Sequence, residues 1–178
     1  MHMNLHENKL IACGSGSTKP IYKVFDVDSF NVTGKGNGAC ASPNPTHRIV
    51  GEVTSLGEII SGVYVDSKGS KAQVRGTYTE KMEVYRQNLQ TEGADVSEGS
   101  NFVRSFYIND TVYVFFLETA KERQDQVTAT IGHYCQTDNG AQSYISSNDW
   151  TTYRKARLNC FNQGEDKETK FHFKYLGK

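Results

Sequence analysis

Four cysteines and five histidines are the residues of this chain whose side chains could bind a metal or act as nucleophiles. They are Cys13, Cys40, Cys135, Cys160, His2, His6, His47, His133 and His172. No Cys-x-x-Cys spacing is present, so they could form a metal or catalytic site only if the fold brought them together. The acidic residues show no pairing that would indicate acid–base catalysis. The sequence therefore predicts no catalytic residue, no metal site and no cofactor.

A glycine-rich stretch, residues 14–19, invites comparison with phosphate-binding loops, in which backbone N–H groups approach the phosphate and a lysine neutralises it. The nucleotide-binding pattern ends in Gly-Lys followed by Ser or Thr. Here Lys19 follows Thr18 and precedes Pro20, and no helical pattern comes next. We therefore expect a turn between two strands and no small-molecule substrate.

Two sequons for N-linked glycosylation, at Asn31 and Asn109, have physical meaning only in the secretory pathway. The cysteines are compatible with disulfides in the same oxidising environment. Against this, residues 1–10 lack the apolar stretch of a secretory signal. No window approaches the roughly 18 apolar residues that a membrane span needs. The residues alone thus leave an extracellular and a cytosolic location open.

Residues 150–160, WTTYRKARLNC, combine the only tryptophan with three basic residues, Arg154, Lys155 and Arg157. Aromatic and basic residues together are typical of surfaces that bind single-stranded nucleic acid. The 20 basic and 20 acidic residues of the chain cancel, however, so no overall field attracts a polyanion. We expect no nucleic-acid partner, and a tryptophan that packs beside a surface strand.

Strands must position these residues, because the composition is that of a β protein. Val, Ile and Thr number 37, against 19 for Leu, Ala and Met, and β-branched residues favour strands over helices. The 178 residues fit one domain. Ten short apolar or alternating runs predict strands at residues 9–13, 21–27, 48–53, 58–66, 72–77, 102–108, 111–117, 127–133, 156–161 and 170–175.

Three local patterns make these predictions more specific. Asn109 and Asp110 alone separate two of the runs and tolerate a positive φ, which predicts a tight hairpin. The run 111–117, TVYVFFL, is apolar at nearly every position, as in a strand buried on both faces. Residues 81–89 have apolar positions spaced for one helical face, but a long polar loop explains them equally well. Ten strands in this length fit a sandwich, a barrel or a β-propeller, and periodicity cannot choose among them.

The stretch from 150 to 160 resembles the signature Trp-Thr-Ser/Thr-Phe-Leu-Lys-Ala-Arg-Leu-x-Cys of the semaphorins, at Trp150, Lys155, Arg157 and Cys160. Residues 135–140, CQTDNG, are similar to the family's Cys-Lys-x-Asp-x-Gly-Gly. Residues 112–120, VYVFFLETA, are similar to Val-Tyr-Phe-Phe-Phe-Arg-Glu-Thr-Ala. Further likenesses follow the family's order, at residues 13–20, 57–62 with Asp66 and Arg75, and 101–106. Together the resemblance covers nearly the whole chain.

Departures from the family pattern bear on the cysteines. Where the family usually places a second cysteine nine residues after the first, this chain has Tyr22. The resemblance therefore suggests that Cys13 pairs with Cys40 instead. The cysteines that match Cys135 and Cys160 look to partners further along the domain in the family, so here they are either free thiols or a pair of their own. Leu117 stands where the family tends to carry arginine.

The resemblance implies an all-β fold, an incomplete seven-bladed β-propeller called a sema domain. Residues 1–178 would form about three to four blades of four-stranded antiparallel sheet from the N-terminal half of that propeller, with no second domain. It also implies an extracellular guidance ligand, secreted or at the cell surface, that binds a plexin-family receptor in axon guidance and cell migration, as a homodimer in the full-length parent. Loops between residues 62 and 101 are our candidates for the surface that meets the partner, because this stretch is polar and long between strands.

Two other functions fit parts of the sequence. The first is a receptor-side sema domain of the plexin or Met type, which would share the propeller but receive the signal. The second is a cytosolic β-rich binding module without signalling activity, consistent with the missing secretory signal. The signature in residues 150–160 favours the ligand side.

Overall fold

Three antiparallel sheets follow one another along the chain in this computed structural model. The structure describes residues 2–6, 8–16, 19–37, 40–78, 84–87, 100–120, 126–138, 149–160 and 171–175. The first sheet contains β1 (His2–His6), β2 (Lys9–Gly14), β3 (Ile21–Asp26) and β4 (Val32–Asn37). The second contains β5 (Val50–Val53), β6 (Glu58–Tyr64), β7 (Ala72–Tyr78) and β8 (Val84–Gln87). The third contains β9 (Asn101–Ile108), β10 (Thr111–Ala120), β11 (Gln126–Cys135), β12 (Arg154–Cys160) and β13 (Phe171–Tyr175).

Each sheet is an up-and-down meander, in which every strand pairs with the next one along the chain. The sheets meet through their first strands, because β5 contacts both β1 and β9. Ser105 Oγ on β9 donates a hydrogen bond of 2.7 Å to Glu52 Oε1 on β5, which ties two of these strands together. Meanders joined at their first strands are typical of the blades of a β-propeller, so the described residues form an all-β arc of three blades.

Strand β6 is buried on both faces, and its alternating side chains serve two hydrophobic cores. Ile59 packs toward the first sheet, in a core with Ile11, Cys13, Cys40 and Ala41. Ile60 packs toward the third sheet, in a larger core that includes Val74, Val112, Val114, Phe116 and Tyr134. Because side chains on a strand point alternately to the two faces, one strand can hold both neighbours of its sheet.

The second and third sheets approach closely at Gly62. A Cβ atom at this position would lie 2.5 Å from the ring of Phe102, so only glycine fits. Tyr64 and Phe116 place their rings edge-on against Phe102, with ring centroids at 5.5 and 6.3 Å. Edge-to-face packing at these distances is favourable beyond the area it buries. Gly62 is therefore a packing requirement of the interface between the sheets.

Trp150 fastens the segment before β12 to the second sheet. Its side chain is buried, its Nε1 donates a hydrogen bond of 3.0 Å to the carbonyl oxygen of Val74, and its ring meets Tyr134 at 5.1 Å. Next to it, the carboxylate of Asp138 accepts hydrogen bonds of 2.7–2.8 Å from the backbone N–H and the hydroxyl of both Thr151 and Thr152. The tryptophan is therefore a packing residue between the second and third sheets, in agreement with the structural role expected from the sequence.

Every one of the ten strands predicted from the sequence is present, but three further strands, β1, β4 and β8, were not predicted. Strand β4, VTGKGN, is almost fully exposed and forms the outer edge of its sheet, so backbone pairing with β3 stabilises it without an apolar pattern. Strand β8 lies inside residues 81–89, where a helix or a loop was expected. There, pairing with β7 overrides a weak helical pattern. Residues 81–83 and 88–89 lie outside the described residues.

Two other predictions had different outcomes. The tight hairpin is confirmed, since Asn109 and Asp110 have φ values of 48° and 59° and alone join β9 to β10. Burial of residues 111–117 on both faces is wrong in part. Val112, Val114 and Phe116 are buried, but Leu117 on the opposite face is 37% exposed. That face has no neighbouring sheet among the described residues. The third sheet also has five strands instead of four.

Replacing Trp150 tests whether it joins the sheets. The variant W150F removes the hydrogen bond to Val74 and leaves a void, so we expect a loss of about 1–3 kcal/mol in the free energy of unfolding. Urea unfolding followed by circular dichroism measures it. The control V127A, at a side chain that is 67% exposed, should change stability by no more than about 0.5 kcal/mol. Equal effects of the two variants would show that Trp150 does not hold the sheets together.

Candidate interaction surface

Two connections meet at one end of the second sheet, residues 40–49 between β4 and β5 and residues 65–71 between β6 and β7. The side chain of Asn44 holds them together. Its Nδ2 donates a hydrogen bond of 3.0 Å to the carbonyl oxygen of Ser67. Its Oδ1 accepts hydrogen bonds from the N–H and the hydroxyl of Thr46, at 3.0 and 2.8 Å, which closes an Asx-type turn. We call residues 43–48 and 66–71 the loop surface.

The ring of His47 packs between the two connections. It lies against the ring of Tyr64, with centroids 4.6 Å apart. On its other side lies Gly69, where a Cβ would be 2.8 Å from His47 Nε2 and where φ is +76°. Both the positive φ and the lack of space exclude any other residue at this position. Gly69 in the second connection thus leaves room for the ring of His47 from the first connection.

The carboxylate of Asp66 closes the turn between β6 and β7. It accepts hydrogen bonds from the N–H and the hydroxyl of Ser70, at 3.3 and 2.7 Å, and from the N–H of Lys71 at 2.8 Å. Partial burial alone would raise the pKa of Asp66, but these hydrogen bonds to the charged form outweigh it and lower the pKa below its usual value. The turn is therefore stabilised by the ionised form of Asp66.

Tyr64 anchors the loop surface to the core. Its hydroxyl donates a hydrogen bond of 2.6 Å to the carbonyl oxygen of Ser100, and its backbone N–H donates one of 2.8 Å to Ser42 Oγ. Burial raises the pKa of the Tyr64 hydroxyl, so the phenol remains a donor at neutral pH. One residue thus fixes the start of the first connection and the start of β9.

The exposed side chains of the loop surface carry positive charge. Arg48, Lys68 and Lys71 are exposed, and no ion pair in the described part of the chain uses them. Asp66, the carboxylate of this surface, is occupied by the turn. A partner with a complementary acidic patch would be attracted and oriented by such a surface.

The cysteines differ in state. Cys13 and Cys40 form a disulfide with their Cα atoms 5.9 Å apart, the pairing that the family resemblance suggested. Both are buried between the first and second sheets, so the bond fixes the beginning of the first connection to β2. Cys135 is a free, half-buried thiol at the end of β11. The side chain of Cys160 lies outside the described residues.

Both glycosylation candidates are on the surface. Asn31 is exposed in the turn between β3 and β4. Asn109 is exposed at the tip of the hairpin between β9 and β10. A glycan at either position would extend into solvent, so modification of these two side chains stays a prediction.

Lys155 and Arg157, two signature residues of the 150–160 stretch, belong to the scaffold of this fold. Lys155 Nζ forms an ion pair of 3.0 Å with Glu118 Oε2, and the two side chains are 14% and 3% exposed. Thr130 donates a hydrogen bond of 3.0 Å to the other carboxylate oxygen of Glu118. Arg157 is also buried. Sequence reasoning missed Glu118, although it lies within the ETA end of a family-like motif.

No metal or membrane site emerges from the described part of the chain. It contains no group of three or more His, Cys, Asp or Glu side chains that could hold a metal ion. It also contains no helix long and apolar enough to cross a bilayer. Residue 14 ends β2, and residues 15–16 and 19–20 belong to the connection between β2 and β3, as expected for this glycine-rich stretch.

Comparison with known proteins identifies the fold family. No family model matches the chain. Semaphorin-1A of Drosophila melanogaster is 32% identical over 165 residues, which is 88% of this chain and 17% of the relative. Semaphorin 5c of the same species is 28% identical over 163 residues, 89% of this chain and 15% of the relative. The solved structure of Drosophila Semaphorin 2a covers 93% of this chain at 25% identity with a TM-score of 0.76. The chain is part of a semaphorin sema domain.

The sema-domain chain spans only a fraction of these relatives. It matches 30% of the solved Semaphorin 2a chain and 31% of the solved extracellular domains 1–2 of Drosophila Semaphorin 1a, where the TM-score is 0.78 and the identity 25%. A plexin A4 extracellular region shares the fold at a lower TM-score of 0.62 and 17% identity. The semaphorin likeness is therefore stronger than the likeness to the receptor type.

The loop surface should lose stability in acid through Asp66. Because the folded pKa of Asp66 is lowered, its contribution is complete above its unfolded pKa of about 3.9 and is lost as the pH falls through the folded pKa. We expect D66A to reduce the free energy of unfolding by about 1–2 kcal/mol at neutral pH, and less in acid. Urea unfolding from about pH 7 to about pH 3 measures the difference. The control S67A changes an exposed side chain of the same turn. If D66A and S67A lost equal, pH-independent amounts, the ionised Asp66 would not stabilise the turn.

Removing the disulfide should destabilise the whole arc. The sequence separation of 27 residues corresponds to about 3–4 kcal/mol in the loop-entropy model, so we expect the double variant C13A/C40A to lose about that amount. Denaturant unfolding with and without a reductant measures it. C135S is the matched control: the substitution itself should change stability by no more than about 1 kcal/mol. Because C135S keeps the disulfide, reductant should destabilise it as much as the wild type, whereas C13A/C40A should not respond to reductant. A wild-type chain unaffected by reductant would contradict the assignment.

Proposed function

We propose that this chain provides part of a semaphorin-type ligand surface that binds a plexin-family receptor outside the cell, in axon guidance and cell migration. Its role is binding rather than catalysis. The observation that carries the proposal is a pre-ordered, positively charged loop surface on a semaphorin sema-domain scaffold. Drosophila Semaphorin 1b has been solved in complex with Plexin A, and the chain shares that fold with a TM-score of 0.78 at 22% identity.

The loop surface supports this proposal because its shape precedes binding. Asn44, Asp66 and Tyr64 fix its two connections by hydrogen bonds, and Gly69 accepts the His47 ring. A surface that is already ordered loses little conformational entropy on binding. Its exposed cations are suited to steering a partner of opposite charge, which increases the association rate more than the affinity. Residues 66–71 lie within the stretch that the sequence suggested for partner contact.

We also propose that the three sheets are consecutive blades from the first half of a seven-bladed propeller, with residues 1–178 belonging to one domain. The outer face of the third sheet supports this, because it exposes apolar side chains at Phe106, Ile108, Leu117 and Val127. Exposed apolar faces of this kind mark interaction surfaces. In a longer parent the next blade would cover the face, and a homodimer would form from complete propellers.

Binding to plexin ectodomains by surface plasmon resonance tests the proposed function. We expect saturable but weak binding by the monodisperse chain, because an open arc presents only part of the ligand surface. The variant R48E/K68E reverses two exposed charges of the loop surface and should weaken binding about tenfold or more. The control K35E, at an exposed position on β4, should bind as the wild type does. Absence of saturable binding, or equal binding by R48E/K68E, would contradict the proposal.

A further inference from the structure

Arg75 lies in the middle of β7, on the face of the second sheet that is turned toward the first. In the register of β6 and β7, Arg75 is opposite Ser61, and Thr77 is opposite Ile59. Ile59 packs in the core between the first and second sheets. Because side chains two residues apart share a face, Gln73, Arg75 and Thr77 point the same way as Ile59 and Ser61.

Two buried hydroxyls beside Arg75 have no hydrogen-bond partner. Ser61 Oγ and Thr77 Oγ1 both belong to fully buried residues, and neither makes a hydrogen bond. Gln73, which precedes them along the same face, is buried as well. Nearly all buried polar groups in proteins are hydrogen-bonded, so each exception needs an explanation. Two such hydroxyls thus lie on the same face of the sheet as Arg75.

The guanidinium of Arg75 lacks a counter-ion. Its Nε donates a hydrogen bond of 3.0 Å to Gln73 Oε1, and no carboxylate in the described part of the chain forms an ion pair with it. This guanidinium is partly removed from water, and the burial lowers its pKa. An arginine has five N–H donors in a planar fork, and most of the fork of Arg75 is unused.

Strand β3 of the first sheet faces this cluster with Tyr22 and Val24. These two side chains pack toward the second sheet, and in the register of β3 and β4 they lie opposite Gly36 and Gly34. A Cβ at Gly36 would lie 2.8 Å from Tyr22 Cε1, so glycine at this position lets the Tyr22 ring lie across β4.

We propose that Arg75, Ser61, Gln73 and Thr77 form a binding site for an oxyanion, a carboxylate or a sulfate or phosphate group. The guanidinium fork would hold two oxygens of the anion in the bidentate manner that arginine favours. The hydroxyls of Ser61 and Thr77 would donate to the anion and so gain the partners that they lack. The site lies between two blades and is separate from the proposed receptor surface.

Nuclear magnetic resonance of the chain labelled with 15N-arginine tests the site directly. In a first series, sodium sulfate replaces sodium chloride at constant ionic strength. In a second series, sodium acetate does so. The Nε–Hε signal of Arg75 is followed in both. The signal is assigned by its absence from the spectrum of R75K.

We expect a saturable shift of the Arg75 signal. Arg104, which is exposed and lies over the Phe106 ring, should show no such shift. Saturation by sulfate alone would indicate a sulfate or phosphate ligand, and saturation by acetate alone a carboxylate. A shift of Arg75 no larger than that of Arg104 in both series would overturn the proposal.

Thermal unfolding provides a second readout that does not depend on the label. Sulfate stabilises proteins in general by exclusion from their surface, so the control R104M defines that baseline. If sulfate binds in the first series, sulfate should raise the unfolding temperature of the wild-type chain more than that of R104M. The same sulfate should raise the unfolding temperature of R75M only as much as that of R104M. In chloride, R75M should be at least as stable as the wild type, because it removes a desolvated charge. If R75M does not fold, R75K keeps a charge without the fork and should bind roughly tenfold more weakly. An R75M response equal to that of the wild type would exclude the site.

Discussion

Burial of β6 on both faces is the constraint on which the rest of the structure depends. Ile59 and Ile60 are adjacent in the sequence but belong to different cores, one shared with the first sheet and one with the third. Loss of packing on either side would expose one face of β6 to water. The contact between the first and second sheets and the contact between the second and third therefore depend on the same strand. Each fully buried aliphatic side chain stabilises the fold by about 1.5–3 kcal/mol. The second sheet therefore holds the first and third sheets together.

The same strand determines where the loop surface lies. β6 ends at Tyr64, whose ring packs into the core while its hydroxyl and N–H hold Ser100 and Ser42. The turn closed by Asp66 begins two residues later, so its position follows from the end of a buried strand. The loops can then be polar and charged without loss of order, because the anchors are supplied by the core beneath them. This division between a rigid scaffold and exposed loops is typical of binding proteins.

The sequence predicts the apolar parts of this fold well and its polar parts poorly. All ten apolar runs are strands, because burial against a neighbouring sheet produces the pattern that periodicity detects. Strand β4 was missed because backbone pairing alone stabilises it. In β7, polar residues alternate with apolar or small ones along the sequence AQVRGTY. Such alternation is typical of a strand with one face in the core and the other in solvent. That polar face is covered by another sheet, and no alternation rule can reveal it. Asn44 and Asp66 hold the loop surface through hydrogen bonds whose partners are fixed only by the turns.

Lys155 and Arg75 are both partly buried cations, but their surroundings differ in how far they offset the loss of hydration. Lys155 is matched by Glu118, and Thr130 satisfies the second carboxylate oxygen, so that the desolvation of both ions is offset within the third sheet. This complete set of partners explains a signature lysine as part of the scaffold. Among the described residues Arg75 has only Gln73 as a partner, and the hydroxyls of its neighbours Ser61 and Thr77 make no hydrogen bond. Since a chain that pairs one buried charge so fully would gain stability by pairing or removing the other, the unpaired arginine is best explained by a ligand that the fold is built to receive.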